Sequence, residues 1–117
     1  VSNSEETLRR ACRAFNTREI DAATELMHPN VDWPNAWEGG RVVGHRAVQD
    51  YWKRQFEVIS SEIVPQAFTE EPDGAITVDV RQVVREASTG RLISDSHVRH
   101  RFRFEDGLIV RMDVVED

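Results

Sequence analysis

One cysteine, Cys12, stands in the 117 residues, so no disulfide can form within the chain. That usage fits a reducing compartment, and a cytoplasmic location is expected. Long apolar runs are missing: the longest span a few residues, far below the ~20 that a membrane-crossing helix needs. Val1 to Phe15 opens polar and acidic and lacks the apolar stretch of a secretory leader. Metal-ligand spacing is missing as well. His28, His45, His97 and His100 form no H-x-x-x-H pair and there is no cysteine cluster, so no metal site is expected. A phosphate-binding glycine loop and a G-x-S-x-G nucleophile elbow are both absent, and no cofactor is expected. A basic excess is lacking too. The formal net charge of −6 argues against a nucleic-acid partner.

What is present is helical periodicity followed by strand periodicity. With 39% hydrophobic and 31% charged residues and no repeat or linker, residues 1–117 read as a single domain with one core. Ser4 with Glu5 and Glu6 reads as a helix start, and Leu8, Ala11, Cys12 and Phe15 mark an apolar stripe behind it. Cys12 on that stripe reads as a small core residue. A second helix is expected from Glu19 to Met27, burying Ile20, Ala23, Leu26 and Met27 and stopping at His28-Pro29. Val31 to Trp37 reads as an aromatic extended segment, Glu38-Gly39-Gly40 as a turn, and Arg41 to Val43 as a short strand pairing back. Gly44 opens a third helix, His45 to about Ser60, with Val48, Trp52, Phe56 and Ile59 on one face.

Strands follow at Ile63–Thr69, Ala75–Glu86, a long segment ending at Phe104, and Leu108–Glu116. Turns at Glu71-Pro72-Asp73-Gly74, Ser88-Thr89-Gly90 and Glu105-Asp106-Gly107 separate them. Helices segregated ahead of an antiparallel meander mean an α+β fold. Long twisted strands curl, which leaves a cavity at one end of the helix layer.

In the long strand, period two puts His97, Arg99, Arg101 and Arg103 on one face and Ser96, Val98, His100, Phe102 and Phe104 on the other. His100 is thus one imidazole on a mostly apolar, inward face. Two readings stay open: a proton carrier in an apolar cavity, or a core histidine satisfied by its neighbours. Gln82 lies on the inward face of a strand otherwise made of valine and isoleucine, and either His100 or a ligand would satisfy it. The outer face with the arginines reads as salt-bridged or dimer-contacting.

The order of elements, the stretch Phe15-Asn16-Thr17-Arg18-Glu19-Ile20-Asp21, the stretch His28-Pro29-Asn30-Val31-Asp32-Trp33, the glycine opening helix three, and Phe104-Glu105-Asp106-Gly107-Leu108-Ile109-Val110 resemble the nuclear transport factor two-like superfamily. Within it the resemblance is to the SnoaL-like and ketosteroid-isomerase-like branch, over essentially the whole chain. It implies a cone-shaped α+β barrel, with three N-terminal helices packed in the concave face of a strongly curved antiparallel sheet. It also implies a homodimer. Carried over position by position, the isomerase's aspartate base falls on Asn35, its tyrosine near Ala11 or Cys12, and its protonated aspartate on His100. All three differ, so steroid isomerisation by that mechanism is not expected. Similarity to SnoaL-type cyclases instead pairs His100 with an acid on the last strand, either Asp113 or Glu116; strand parity turns Glu116 inward and Asp113 outward.

The expected catalytic residues are therefore His100 and Asn35. Asn35 would orient a carbonyl or a water, or else cap its own loop. The expected pocket wall includes the flat rings of Trp33, Trp37 and Trp52 together with Phe15, Met27 and Phe56. Val80, Gln82, Val98, Phe102, Met112, Val114 and Glu116 complete it. Three functions are compatible with this. The first is a cofactor-independent lyase or isomerase acting on an apolar, cyclic or carbonyl-bearing molecule, with His100 as general acid/base. The second is a non-catalytic binder of such a molecule. The third is an interaction module using the outer face of Arg81, Val83, Arg99, Arg101, Arg111 and Val115.

Overall fold

A computed structural model describes residues 3–35 and 38–115. Helix α1 spans Asn3–Asn16, starting one residue before Ser4, and keeps Leu8 and Cys12 buried. The Asn16 side chain then closes on the sheet: Nδ2 donates to the Ile63 carbonyl at 2.7 Å, and Oδ1 accepts from the Ile63 N–H at 2.9 Å. One amide thus satisfies both backbone groups of Ile63 on a sheet edge, where they would otherwise lack a partner.

Helix α2 is shorter than its periodicity suggests, Ile20–Glu25. Leu26 and Met27 are taken by the sheet: the Ile109 N–H donates to the Leu26 carbonyl at 3.0 Å, and Met27 opens strand β1, Met27–Pro34. Strand β2, Arg41–Val43, falls in its expected place; after helix α3 at His45–Val58, β3 runs Ile59–Glu70 and so begins ahead of the expected Ile63. Helix α3 ends two residues early because Ile59 already pairs with Glu86 in the long hairpin of β3 with β4, Ile76–Glu86. Strand β5 covers Leu92–Glu105 and β6 Leu108–Val115. Their connection has Asp106 at φ 54° and Gly107 at φ 78°, the left-handed pair that a two-residue hairpin of primed type requires.

The six strands form one open curved sheet in the order β2-β1-β6-β5-β4-β3. All neighbours are antiparallel except β1 and β6, which run parallel. The meander reading lacked that pairing, because a parallel partner distant in sequence leaves no turn signal. The three helices cover the concave face. Between them and the sheet lies a core built on Leu8, Met27, Val31, Val48, Trp52, Val78, Val80 and Ile109.

The outer face is salt-bridged. Asp32, Arg41, Asp113 and Arg111 close a ring of alternating charge: Arg41 reaches Asp32 and Asp113, and Arg111 reaches the same two carboxylates. Arg41 also donates to the Met112 carbonyl at 2.6 Å, tying β2 to β6. Arg81 pairs with Asp95, and Arg103 with Asp73. Asp113 therefore points away from the concave side, as its strand parity requires.

Candidate functional site

The concave face does not close completely. A cavity of about 230 Å³ remains between α1, α3 and the sheet. The α1 stripe of Leu8, Ala11, Cys12 and Phe15 forms one wall, and Tyr51, Trp52 and Gln55 of α3 form the next. Met27, Trp33 and Pro34 of β1, Ser61 and Ile63 of β3, and Gln82 of β4 continue it; Val98, His100, Phe102, Met112 and Val114 complete the sheet side. No Asp, Glu, Lys or Arg lines it among the described residues.

Aromatic rings meet along this wall, edge to face except for the tilted pair of Trp33 and Phe102. Phe15 lies 5.3 Å from Trp52, Trp52 lies 5.6 Å from Trp33, and Trp33 lies 6.2 Å from Phe102, measured between ring centroids. His100 ends the series, 6.2 Å from Phe102. Such contacts hold flat rings in fixed positions without a polar group.

His100 is 9% exposed and lines the cavity. Among the described residues no hydrogen bond reaches its ring, and no ring nitrogen is sealed away without a partner. The imidazole is therefore open to the cavity and unspent. Burial pulls its pKa from 6.5 down to about 4, so at neutral pH the ring is uncharged, with one nitrogen donating and the other accepting.

Asn35 is corrected. It is buried, but it does not line the cavity. Its Nδ2 donates to Glu38 Oε1 at 3.0 Å and its Oδ1 accepts from the Glu38 N–H at 2.7 Å. The amide is committed to its own turn, the local-capping reading. Hydrogen bonds from Arg54 and then Asn35 hold the Glu38 carboxyl down at about 2.

Val80 and Phe56 are corrected as well. Val80 is 1% exposed and covered by the core rather than open to the cavity. Phe56 backs the wall instead of lining it, packing 5.2 Å from Phe15 and carrying the Arg18 guanidinium at 4.0 Å on its face. Trp37 and Glu116 lie outside the described residues. Phe15, Met27, Trp33, Trp52, Gln82, Val98, Phe102, Met112 and Val114 stand on the wall as expected. Gln82 does not meet His100. Its Nε2 donates to Ser61 Oγ at 3.4 Å.

Tyr51, Gln55 and Ser61 were not anticipated. Val48, Tyr51, Trp52 and Gln55 follow i, i+3, i+4, i+7, a stripe as regular as the Val48-Trp52-Phe56 line. Ser61 becomes visible once a strand is started at Ile59, because Ile59, Ser61 and Ile63 then share a face. Cys12 faces the cavity with its thiol raised to about 11, chiefly by burial, so it is neutral and a poor nucleophile.

One group among the described residues brings possible cation ligands within 4.8 Å of one another: His28, Glu105 and Asp106. His28 Nδ1 already accepts from the Asn30 N–H at 3.0 Å, which leaves the proton of a neutral ring on Nε2. None of the three residues lines the cavity.

The sequence profile of the SnoaL-like domain matches residues 8–112. No curated protein sequence matches the chain. Among solved structures, TerC co-crystallised with polyporic acid superposes with a TM-score of 0.84 at 23% identity, covering 99% of this chain and 92% of that one. An NTF2-like protein of unknown function from Burkholderia pseudomallei gives 0.85 at 25% identity, covering 100% and 92%. Rv0760c from Mycobacterium tuberculosis, in complex with estradiol-17β-hemisuccinate, gives 0.84 at 14% identity, covering 100% and 95%. These likenesses bear on the fold.

Proposed function

The chain belongs to the SnoaL-like domain family, and on that premise we propose that it is a cofactor-independent lyase or isomerase acting on an apolar, carbonyl-bearing small molecule. The observation that carries this reading is the His100 imidazole, with no hydrogen bond among the described residues, on the wall of an apolar cavity. The polyporic acid and estradiol hemisuccinate complexes of two structural neighbours support a small-molecule occupant.

In this reading the neutral imidazole takes a proton from a carbon next to the carbonyl and returns it elsewhere on the same molecule. An imidazole held near pKa 4 is a weak base in the empty cavity. Its strength rises as the substrate oxygen gains negative charge, because the resulting ion pair forms in a poorly screened interior. Asn35 has no part in this step. A homodimer through the outer sheet face belongs to the same proposal, and Arg101→Glu would dissociate it in sedimentation velocity.

A second reading is a non-catalytic binder. It is favoured by one observation: among the described residues no carboxylate lines the cavity beside His100. The test is hydrogen–deuterium exchange of 2-tetralone in D2O, followed by NMR. An enzyme accelerates exchange next to the carbonyl, and His100→Ala lowers the rate by about 10² or more. Equal rates in the two proteins would leave only the binder.

A further inference from the structure

Proton transfer uses one end of the cavity, while the other end carries polar groups whose bonding capacity is only partly used. Gln82 and Ser61 meet there at 3.4 Å, a long contact, and among the described residues it is the one hydrogen bond either side chain makes. The Gln82 carbonyl and the Ser61 hydroxyl proton are left over. Ser61 is nonetheless 1% exposed. Gln82 is half-buried, and polar capacity left open on the wall of an apolar cavity is available to a ligand.

The strand ladder sets how far apart the two ends are. His100 lies opposite Val78, while Gln82 lies opposite Ser96. Four residues of strand separate them, roughly 13 Å at 3.3 Å per residue. A single oxygen cannot reach both. The Gln82–Ser61 pair therefore meets a different atom of the ligand from the one at His100.

Two further features restrict the occupant. An apolar cavity of roughly 150 Å³ takes benzene, so a volume of about 230 Å³ suits two fused rings rather than four. An ionised group would find no counter-charge among the described residues of the wall and would keep its desolvation cost.

We propose that the cavity recognises an uncharged, flat, two-ring molecule with a hydrogen-bonding oxygen at each end, one met by His100 and the other by the Gln82–Ser61 pair. This rests on the cavity being the functional site and adds its specificity. Gln82 and Ser61 select the distal oxygen and take no part in proton transfer.

Calorimetric titration of the full chain with naphthalene-2,6-diol, 2-naphthol and 6-hydroxy-2-naphthoate tests it. The diol should bind about five- to tenfold more tightly than the naphthol, the worth of one net hydrogen bond. Gln82→Leu should erase that preference, and Ser61→Ala should reduce it, with both variants checked for an unchanged melting profile. The carboxylate should bind at least about a hundredfold more weakly than the diol, for lack of a counter-charge. Equal binding of diol and naphthol overturns the proposal, as does a preference that survives in Gln82→Leu, or no binding by any of the three. The outcomes separate from those for catalysis. A protein that prefers the diol but exchanges no tetralone protons keeps this specificity and loses the enzyme, and the reverse result loses only this inference.

Discussion

The His100 imidazole stands at 76° to the Phe102 ring, 6.2 Å between centroids, two residues apart on the inward face of β5. Phe102 in turn leans on Trp33, so among the described residues the imidazole is held at the end of a run of rings and not by a hydrogen bond. A titratable group held in this way keeps both nitrogens for whatever enters the cavity, and its desolvation has consequences that can be measured.

The first concerns stability. His100 has its pKa lowered from 6.5 to about 4 in the folded protein. Between those values the unfolded chain binds the extra proton, so the stabilising effect of neutral burial is complete above about pH 6.5 and is lost as pH falls toward 4. Urea unfolding should show the native protein losing about 2 to 3 kcal/mol more than His100→Leu between pH 7 and pH 4.5. The same loss in both proteins would mean that the ring is not desolvated.

Asn16 fastens the end of α1 to the edge of β3 through both backbone groups of Ile63. Asn16→Ala should lower the unfolding free energy by about 1 to 3 kcal/mol, since it strands two part-buried polar groups. A cost below ~0.3 kcal/mol would show that water replaces the amide freely.

The Cys12 thiol, pushed up from 9.0 to about 11 by burial, should be slow to react. At pH 8, iodoacetamide should modify it at least about a hundredfold more slowly than in the urea-unfolded chain. Because Cys12 lines the cavity, a bound naphthalenediol should slow the reaction further. Equal rates in folded and unfolded protein would put the thiol in contact with solvent.

Asp113 belongs to the outer ring of charges with Arg41 and Arg111. Asp113→Asn should therefore cost about 1 kcal/mol or less, fading with added salt, and should leave tetralone exchange unchanged. A hundredfold fall in exchange would contradict its outward placement and restore it as the acid partner of His100.

The inward face of β5 was legible because five residues alternate without a break, and the α1 stripe because four apolar residues keep helical spacing. The family, too, was carried by residues spread along the whole chain. What period cannot report is how a polar side chain spends its bonds. Asn35 looked like a ligand donor but caps Glu38, while Gln82 lines the cavity as expected and meets Ser61 rather than His100. The parallel pairing of β1 with β6 was hidden for a related reason. It draws Met27 out of a helix that its own sequence favours, and only the distant strand supplies the cause. Val80 fell on the correct face, between Gln82 and the strand position opposite His100, but its side chain is taken up by the core cluster, which period alone does not report.

The most direct test follows the His100 imidazole nitrogens by NMR, across pH and through a titration with 2-tetralone. The desolvated, cavity-facing ring should titrate near pH 4 in the free protein, and its resonances should shift and saturate as the ketone binds. A ring that titrates near 6.5, or that ignores a bound ketone, would contradict its place at the centre of the site.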